Sequence, residues 1–239
     1  MDEEQVLTIK ENIERVNANI QQAAKRAGRD PGEITLVAVT KEKSAPIVKT
    51  LAENNVNKIG ESYLQEASFK IDLLKDFDIE WHMIGNIQKG KEKHIPRLFQ
   101  VVHSVGSKRT ARELNKYAQP LEITLPVYLE LNVSGESTKQ GWDVQERKDL
   151  DQLLPVFEEI LDYPALKVMG LMTMAPYSDN PEDARPYFKK MRSFRDALLA
   201  EIPGSAISEL SMGMSGDYQV AIEEGATVLR IGSALVGPR

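Results

Sequence analysis

A lysine at the end of an apolar run is the first residue in this sequence that could do covalent chemistry. The stretch ITLVAVTKEKS, residues 34 to 44, leads six mostly apolar, β-favouring residues into Lys41. Strand alternation places Val37, Val39 and Lys41 on one face. If that face looks into a barrel, desolvation lowers the pKa of the amine, which can then attack a carbonyl group and form a Schiff base. The alternative is a lysine at the rim that extends its ammonium group to water.

Two glycine- and serine-containing segments suggest a phosphate site. The last apolar run, TVLRIGSALVG, ends in Arg230, Gly232 and Ser233 before a short turn, where free backbone N–H groups can bind phosphate. The run before it leads into SELSMGMSGDY, which supplies further hydroxyl groups and glycine amides from Ser211 to Gly216. Each segment alone is typical of an ordinary turn. Both lie where (β/α)₈ barrels often hold phosphate, so together with Lys41 they indicate a phosphate-bearing carbonyl compound.

Two compounds fit a Schiff-base lysine that faces a phosphate site: a sugar phosphate, as in a lysine aldolase, or the cofactor pyridoxal 5′-phosphate (PLP). Arg230 favours PLP. A guanidinium group keeps its protons, so against a pyridine nitrogen it donates a hydrogen bond and leaves the ring unprotonated. Such a ring is a poor electron sink.

Three other groups of residues are ambiguous. His82, in EWHMIG, is either an acid–base group near the cofactor or a hydrogen-bonded rim residue. Gln88 and Lys91 lie in the following loop, where they could close over the site. The cluster KGKEKHIPR lacks interleaved aromatic residues, so it is interpreted as a solvated helix face and not as a nucleic-acid site. The three histidines lack metal-ligand spacing, and no metal site is expected.

The elements that must position these residues alternate along the chain. Residues 3 to 27 form a predicted amphipathic helix that Gly28 terminates. Eight β-like runs follow, at residues 34–41, 57–61, 80–85, 100–105, 126–133, 166–174, 207–212 and 227–232, and most of the gaps between them have helical spacing. Several runs are apolar on both faces, as covered parallel strands are. We therefore predict an α/β fold with one domain over residues 1–239, a (β/α)₈ TIM barrel whose N-terminal helix completes the outer ring.

Composition limits the function classes. The 239 residues contain no cysteine, carry a net charge of −6 and include no apolar run of the roughly 20 residues that span a bilayer. The acidic, amphipathic start does not resemble a secretion signal. We expect a cytoplasmic protein that does not bind membranes or nucleic acid and that has neither a disulfide nor a thiol nucleophile.

Several sequence blocks resemble one family. LVAVTK, IGESYLQE, EWHMIGNIQKGK, GLMTMAP and LSMGMSGDYQVAIEEGATVLRIGSALVG are similar, in the same order, to segments of the pyridoxal phosphate homeostasis proteins (YggS/PROSC, or PLPBP). That family is itself similar to the N-terminal barrel of alanine racemase, and it binds PLP without an established catalytic activity. This chain departs from the family pattern at Ser62 and Gly90, where asparagine is common.

The resemblance implies a set of cofactor-binding residues. Lys41 would carry PLP as a Schiff base, the internal aldimine, and Arg230 would contact the pyridine nitrogen. The phosphate contacts would come from Ser215, Gly232 and Ser233, and Ser211, Met212 and Met214 would also line the site.

Function remains open between a carrier and an enzyme. In the first interpretation the protein binds PLP, protects its aldehyde and delivers it, and we favour this. The second is a PLP-dependent amino-acid racemase, which needs a second acid–base group that alanine racemase takes from a separate domain not seen here; the third is the lysine aldolase. We expect no catalytic residues and a monomer whose partners are PLP, related B6 vitamers and apo-enzymes that depend on PLP.

Overall fold

Eight parallel strands close around one lumen in the computed structural model, which describes residues 3–238. The strands are β1 (Thr35–Val39), β2 (Lys58–Glu61), β3 (Glu80–Met83), β4 (Val101–Val105), β5 (Leu125–Asn132), β6 (Trp142–Asp143), β7 (Leu166–Met172), β8 (Glu209–Ser211) and β9 (Val228–Ile231). The barrel runs β1-β2-β3-β4-β5-β7-β8-β9, and β9 pairs with β1. The predicted TIM barrel is confirmed. The two-residue β6, which was not predicted, extends the sheet beyond β5 and lies outside the ring.

Helices surround the barrel. They are α1 (Glu3–Arg26), α2 (Ala45–Glu53), α3 (Leu64–Leu73), α4 (Ile95–Leu98), α5 (Lys108–Ala118), α6 (Arg147–Leu161), α7 (Arg185–Glu201), α8 (Tyr218–Glu223) and α9 (Ser233–Val236). Single 3₁₀ turns occur at Pro31–Glu33, Glu92–His94, Gln119–Leu121 and Pro181–Ala184. Within residues 3–238, no helix combines the length and the hydropathy that crossing a membrane requires.

The N-terminal helix α1 completes the outer ring, as predicted. Its apolar side chains recur every three or four residues, and the buried ones are Ile9, Ile13, Val16, Ile20, Ala23 and Ala24. The helix packs against α2, α8 and α9. At its end Gly28 has a φ of +66°, and the N–H of Arg29 bonds to the carbonyl of Ala24. Glycine therefore terminates the helix where the sequence predicts.

Two apolar layers hold the barrel together. The larger lies between the strands and the helices and includes Ala38, Leu229 and Ile231. The smaller lies inside the lumen and contains Val37, Val101, Tyr128, Met172 and Val228. Because successive strand residues face opposite sides, Val37 points inward while Ala38 points outward. The inward register predicted for β1 is therefore present, although β1 ends at Val39 and Lys41 lies two residues beyond it, in a turn.

The strands β7 and β8 approach so closely at Gly170 that no side chain fits there. A Cβ atom on Gly170 would lie 1.9 Å from the carbonyl oxygen of Glu209. We predict that Gly170→Ala lowers the free energy of unfolding by about 3 kcal/mol or more, because the backbone of one strand must move. Urea unfolding measures the loss. Lys167→Ala, at an exposed position of the same strand, is the control and should change stability by less than about 0.5 kcal/mol; equal effects of the two substitutions would contradict the prediction.

Candidate functional site

A cavity of about 440 Å³ opens at the carboxyl ends of the barrel strands. Six of the eight residues predicted to contact the cofactor line it: Lys41, Met214, Ser215, Arg230, Gly232 and Ser233. Chemistry in (β/α)₈ barrels gathers at this end, because loops from all the strands meet there. The predicted amine, the predicted cation and the glycine–serine turns therefore share one cavity.

The turn that carries Lys41 is fixed from outside the barrel by a buried lysine. Lys70, on α3, donates from Nζ to the carbonyl of Thr40 (2.7 Å), to Glu61 Oε1 (2.7 Å) and to Glu66 Oε1 (2.6 Å). Glu66 Oε1 in turn accepts from the N–H of Glu42 at 2.6 Å. The backbone groups on both sides of Lys41 are thus held by one ion cluster. This contact keeps the turn in place although Glu42 adopts a φ of +64°, which is unfavourable for a residue with a side chain.

Glu61 lies at the centre of that cluster. It is fully buried, and its Oε1 also accepts from the Thr40 hydroxyl at 2.5 Å. Its second oxygen, Oε2, has no hydrogen-bond partner within residues 3–238. Burial raises the pKa of Glu61, and the contacts with Lys70 and Thr40 oppose this rise. The carboxylate therefore depends on Lys70 for its charge.

Arg230 points from β9 into the lumen and is 4% exposed. Its guanidinium donates to Ser211 Oγ at 2.6 Å and to the carbonyl of Thr173 at 2.8 Å. Burial lowers the pKa of Arg230 to about 10, so the group is a cation at neutral pH. Three of its five N–H groups have no partner among the described residues. A cation with unused donors beside the cavity fits a ligand atom that accepts a hydrogen bond, such as an unprotonated pyridine nitrogen.

A chain of hydrogen bonds crosses the lumen below Arg230. Arginine can only donate, so Ser211 Oγ accepts from it and gives its own hydrogen to His103 Nδ1 at 2.8 Å. His103 Nε2 then donates to His82 Nδ1 (2.8 Å), and His82 Nε2 donates to Glu80 Oε1 (2.8 Å). Burial lowers the pKa of both histidines, that of His103 well below its usual range. Both rings are therefore neutral at pH 7, and every hydrogen in the chain has an acceptor.

The predicted phosphate corner is built from two turns that contact each other. The hydroxyl of Ser215 accepts from the N–H groups of Gly232 and Ala234, both at 3.2 Å. The N–H groups of Ser215, Gly216 and Ser233 have no partner within residues 3–238. Unpaired amides next to two serine hydroxyls are a suitable set of donors for an anion.

Asp217 shapes this corner and lines the same cavity. Its Oδ1 accepts from the N–H of Met214 at 2.6 Å, which closes the turn that presents Ser215. A carboxylate beside a phosphate site would repel the anion. Burial raises the pKa of Asp217, and the N–H of Met214 and the Arg230 cation oppose this rise.

The remaining two predicted residues lie outside the cavity lining. Ser211 is buried beneath it and touches Arg230, as described above. Met212 is fully buried in the larger core between strands and helices. Direct contact of any of the eight residues with a cofactor stays a prediction.

The histidine predicted as ambiguous, His82, is a buried lumen residue and not a rim residue. Lys70, His103 and Glu130 also lie near the site, although no sequence motif predicts a role for them. The signal for Glu130 was available: it follows Tyr128 by two positions on β5, so it faces the lumen as well. Gln88 and Lys91 line a second cavity next to the first.

Comparisons with known proteins give consistent results. The chain matches the family model described as alanine racemase, N-terminal domain, over residues 12–239. It is 42% identical over 229 residues to the pyridoxal phosphate homeostasis protein of Aquifex aeolicus, covering 96% of this chain and 97% of that relative. The protein of the same name from Pseudomonas aeruginosa is 38% identical over 232 residues, with 97% and 96% covered. A solved structure of PipY from Synechococcus elongatus PCC7942 with PLP bound has a TM-score of 0.79 and 28% identity, and the match covers 92% of this chain and all of PipY.

The buried ion cluster around Lys70 leads to a stability prediction. Lys70→Met leaves the carboxylate of Glu61 buried without its cation, and we expect it to lower the free energy of unfolding by about 3–5 kcal/mol. Adding Glu61→Gln should recover part of this loss, because the uncompensated charge is removed. Denaturant unfolding of both variants provides the measurement.

Lys49→Met is the control for that experiment. Lys49 forms a 3.7 Å ion pair with Glu53 in which both side chains are about half exposed, and its loss should cost less than about 1 kcal/mol. If Lys70→Met were no more costly than Lys49→Met, the cluster would not stabilise the fold.

Proposed function

The chain belongs to the family of pyridoxal phosphate homeostasis proteins, and on that premise we propose that it is a PLP carrier. In this proposal residues 1–239 form one PLP-binding barrel domain, which binds the cofactor through Lys41, protects its aldehyde and delivers it to apo-enzymes that need it. Related B6 vitamers are further ligands, the protein acts as a monomer, and its place is the cytoplasm, which suits a sequence without cysteine.

The observation that carries the proposal is the shared cavity of Lys41, Arg230 and the phosphate corner. When bound, PLP supplies an aldehyde that bonds to an amine and a ring that can draw electrons from the atoms attached to it. Lys41 would provide that amine. The N–H groups of Ser215, Gly216 and Ser233 would hold the phosphate, and the unused N–H groups of Arg230 would donate to the ring nitrogen.

Arg230 supports a carrier more than an enzyme. Since a guanidinium keeps its protons at neutral pH, it does not protonate the ring nitrogen, and the ring then withdraws electrons weakly. The relatives are likewise named for homeostasis and not for a reaction. We therefore infer that the barrel uses the lysine–aldehyde bond for storage and release.

The first prediction from this proposal concerns the lysine. Borohydride reduction of the PLP-loaded protein should fix the cofactor on Lys41, and Lys41→Ala should abolish both the near-visible absorption and the fixed adduct while the thermal transition is retained. Peptide mass mapping identifies the modified residue. Lys43→Ala is the matched control, because Lys43 lines the same cavity but donates to the carbonyl of Pro238. An adduct that persists in Lys41→Ala, on whichever lysine, would remove Lys41 from its role.

The second prediction separates the carrier from an amino-acid racemase. We expect the PLP-loaded protein to restore activity to a PLP-dependent apo-enzyme, and to incorporate almost no deuterium at Cα of L-alanine in heavy water. The physical reason is the weak electron withdrawal described above. Rapid deuterium incorporation with accumulation of D-alanine, and no effect on the apo-enzyme, would overturn the carrier in favour of the racemase.

A further inference from the structure

A second cavity of about 620 Å³ adjoins the first at the same end of the barrel. The two cavities share four lining residues: Lys41, Ser62, Ile84 and Met174. Of these two cavities, the phosphate corner and Arg230 line the first alone, whereas Gln88, Lys91 and Glu130 line the second alone. Lys41 therefore stands between two spaces, and the proposed cofactor site accounts for one of them.

The second cavity contains a buried carboxyl group without a partner. Glu130 is 4% exposed, and within residues 3–238 its side chain makes no hydrogen bond and no ion pair. Burial raises the pKa of Glu130 to about 7, and the only opposing influence comes from Arg230 across the lumen. A buried carboxyl group in this state lacks a cation, because an ammonium group in contact would favour the charged form.

The walls around Glu130 indicate the kind of cation. Apolar side chains form much of the lining: Leu64, Met83, Ile84, Ile87 and Met174. Besides Glu130, the polar lining consists of the amides of Gln65, Asn86, Gln88 and Gln140, the hydroxyls of Ser62 and Tyr63, and the amines of Lys41 and Lys91. Glu130 is the one carboxylate in this lining, so the cavity lacks the set of oxygen ligands that a metal ion requires. A methylene stem that ends in an ammonium group matches both the apolar wall and the single acid.

We propose that the second cavity is a binding site for an extended primary alkylammonium group, the chemistry of a lysine side chain, with Glu130 as its counter-ion. This inference rests on the proposed carrier function, in which the amine that enters the second cavity is the acceptor of the cofactor. Its measurement is independent of that function, because amine binding is tested on the cofactor-free protein.

The position next to Lys41 gives such an amine a defined reaction. Its nitrogen would form a bond to the cofactor's aldehyde carbon and lose two protons, while the bond from that carbon to the Lys41 nitrogen breaks and the Lys41 nitrogen takes up two protons. Atoms and electrons balance without an oxidant or a reductant. Glu130, as a carboxylate, would accept a proton from the incoming ammonium group, which must be neutral to attack.

The experiment titrates small probes into the full-length, cofactor-free protein and follows binding by NMR. The probes are n-butylammonium, its neutral analogue n-butanol, Nα-acetyl-lysine methylamide and L-alanine. We expect saturable binding of n-butylammonium and of the lysine derivative, and at least about tenfold weaker binding of n-butanol and of L-alanine, because the site selects a charged head on an apolar stem.

Variants test whether Glu130 is the counter-ion. Glu130→Gln should weaken n-butylammonium binding at least about tenfold, since a charge-assisted hydrogen bond is lost. Glutamine has nearly the shape of the protonated acid, so this variant should fold, and a thermal melt checks it. Glu136→Gln is the matched control, because this substitution also removes one negative charge, from the segment after β5. The Glu136 side chain is 46% exposed and does not line the cavity. This variant should bind the probe as the unmodified protein does.

Each other outcome overturns the proposal. Equal binding of n-butylammonium to the unmodified protein and to Glu130→Gln would mean that Glu130 is not the counter-ion. If no probe binds saturably, the carboxyl group of Glu130 is hydrated and has no amine ligand. If L-alanine alone binds, the cavity is a site for a free amino acid instead. A protein that forms the Lys41 adduct but binds no amine refutes only this inference, whereas one that binds the amine but forms no adduct refutes only the carrier.

Discussion

The burial of one guanidinium group sets the polar organisation of this barrel. Arg230 lies in a lumen whose other inward residues include an apolar layer, and a cation removed from water must be solvated by protein dipoles or by opposite charge. No carboxylate within residues 3–238 contacts it directly. Ser211 and the carbonyl of Thr173 supply the dipoles instead, and the acids act from a distance. Because these protein acceptors use only two of the five N–H groups of Arg230, the other three are available to a ligand.

The two groups with the clearest chemistry are supported from opposite sides of the barrel wall. Lys41 is held by the ion cluster outside the strands, through the backbone on either side of it, while Arg230 is held from inside, through Ser211 and the histidines. Because the two sets of contacts share no residue, a change that loosens one leaves the other in place. The barrel wall can thus hold the amine and the cation in fixed relative positions without a direct contact between them.

The sequence predicts the fold well because the barrel strands are short apolar runs of regular spacing, and the helix α1 has an unambiguous period. Alternation along β1 and β9 was sufficient to place Lys41 and Arg230 at one mouth. It could not pair His82 with His103, because that contact depends on strand stagger: His82 lies opposite Val101, and His103 is two residues further along. Lys70 was missed for another reason. A buried lysine on an amphipathic helix has no local sequence signal, because its burial depends on contacts with Glu61 on β2 and Glu66 on α3.

The packing of α1 against the last two helices has a consequence for the order of events during synthesis. Asn12 donates to the carbonyl of Leu235, Asn19 to the hydroxyl of Tyr218, and Arg26 to Glu223. At about 5–20 residues per second, a ribosome needs roughly 10–40 s to reach these partners after α1 has been made. Throughout that interval the part of α1 that packs against α8 and α9 has no native surface to cover it. The nascent chain must therefore carry part of this amphipathic helix uncovered until the final strand emerges, which makes barrel closure a late step in folding.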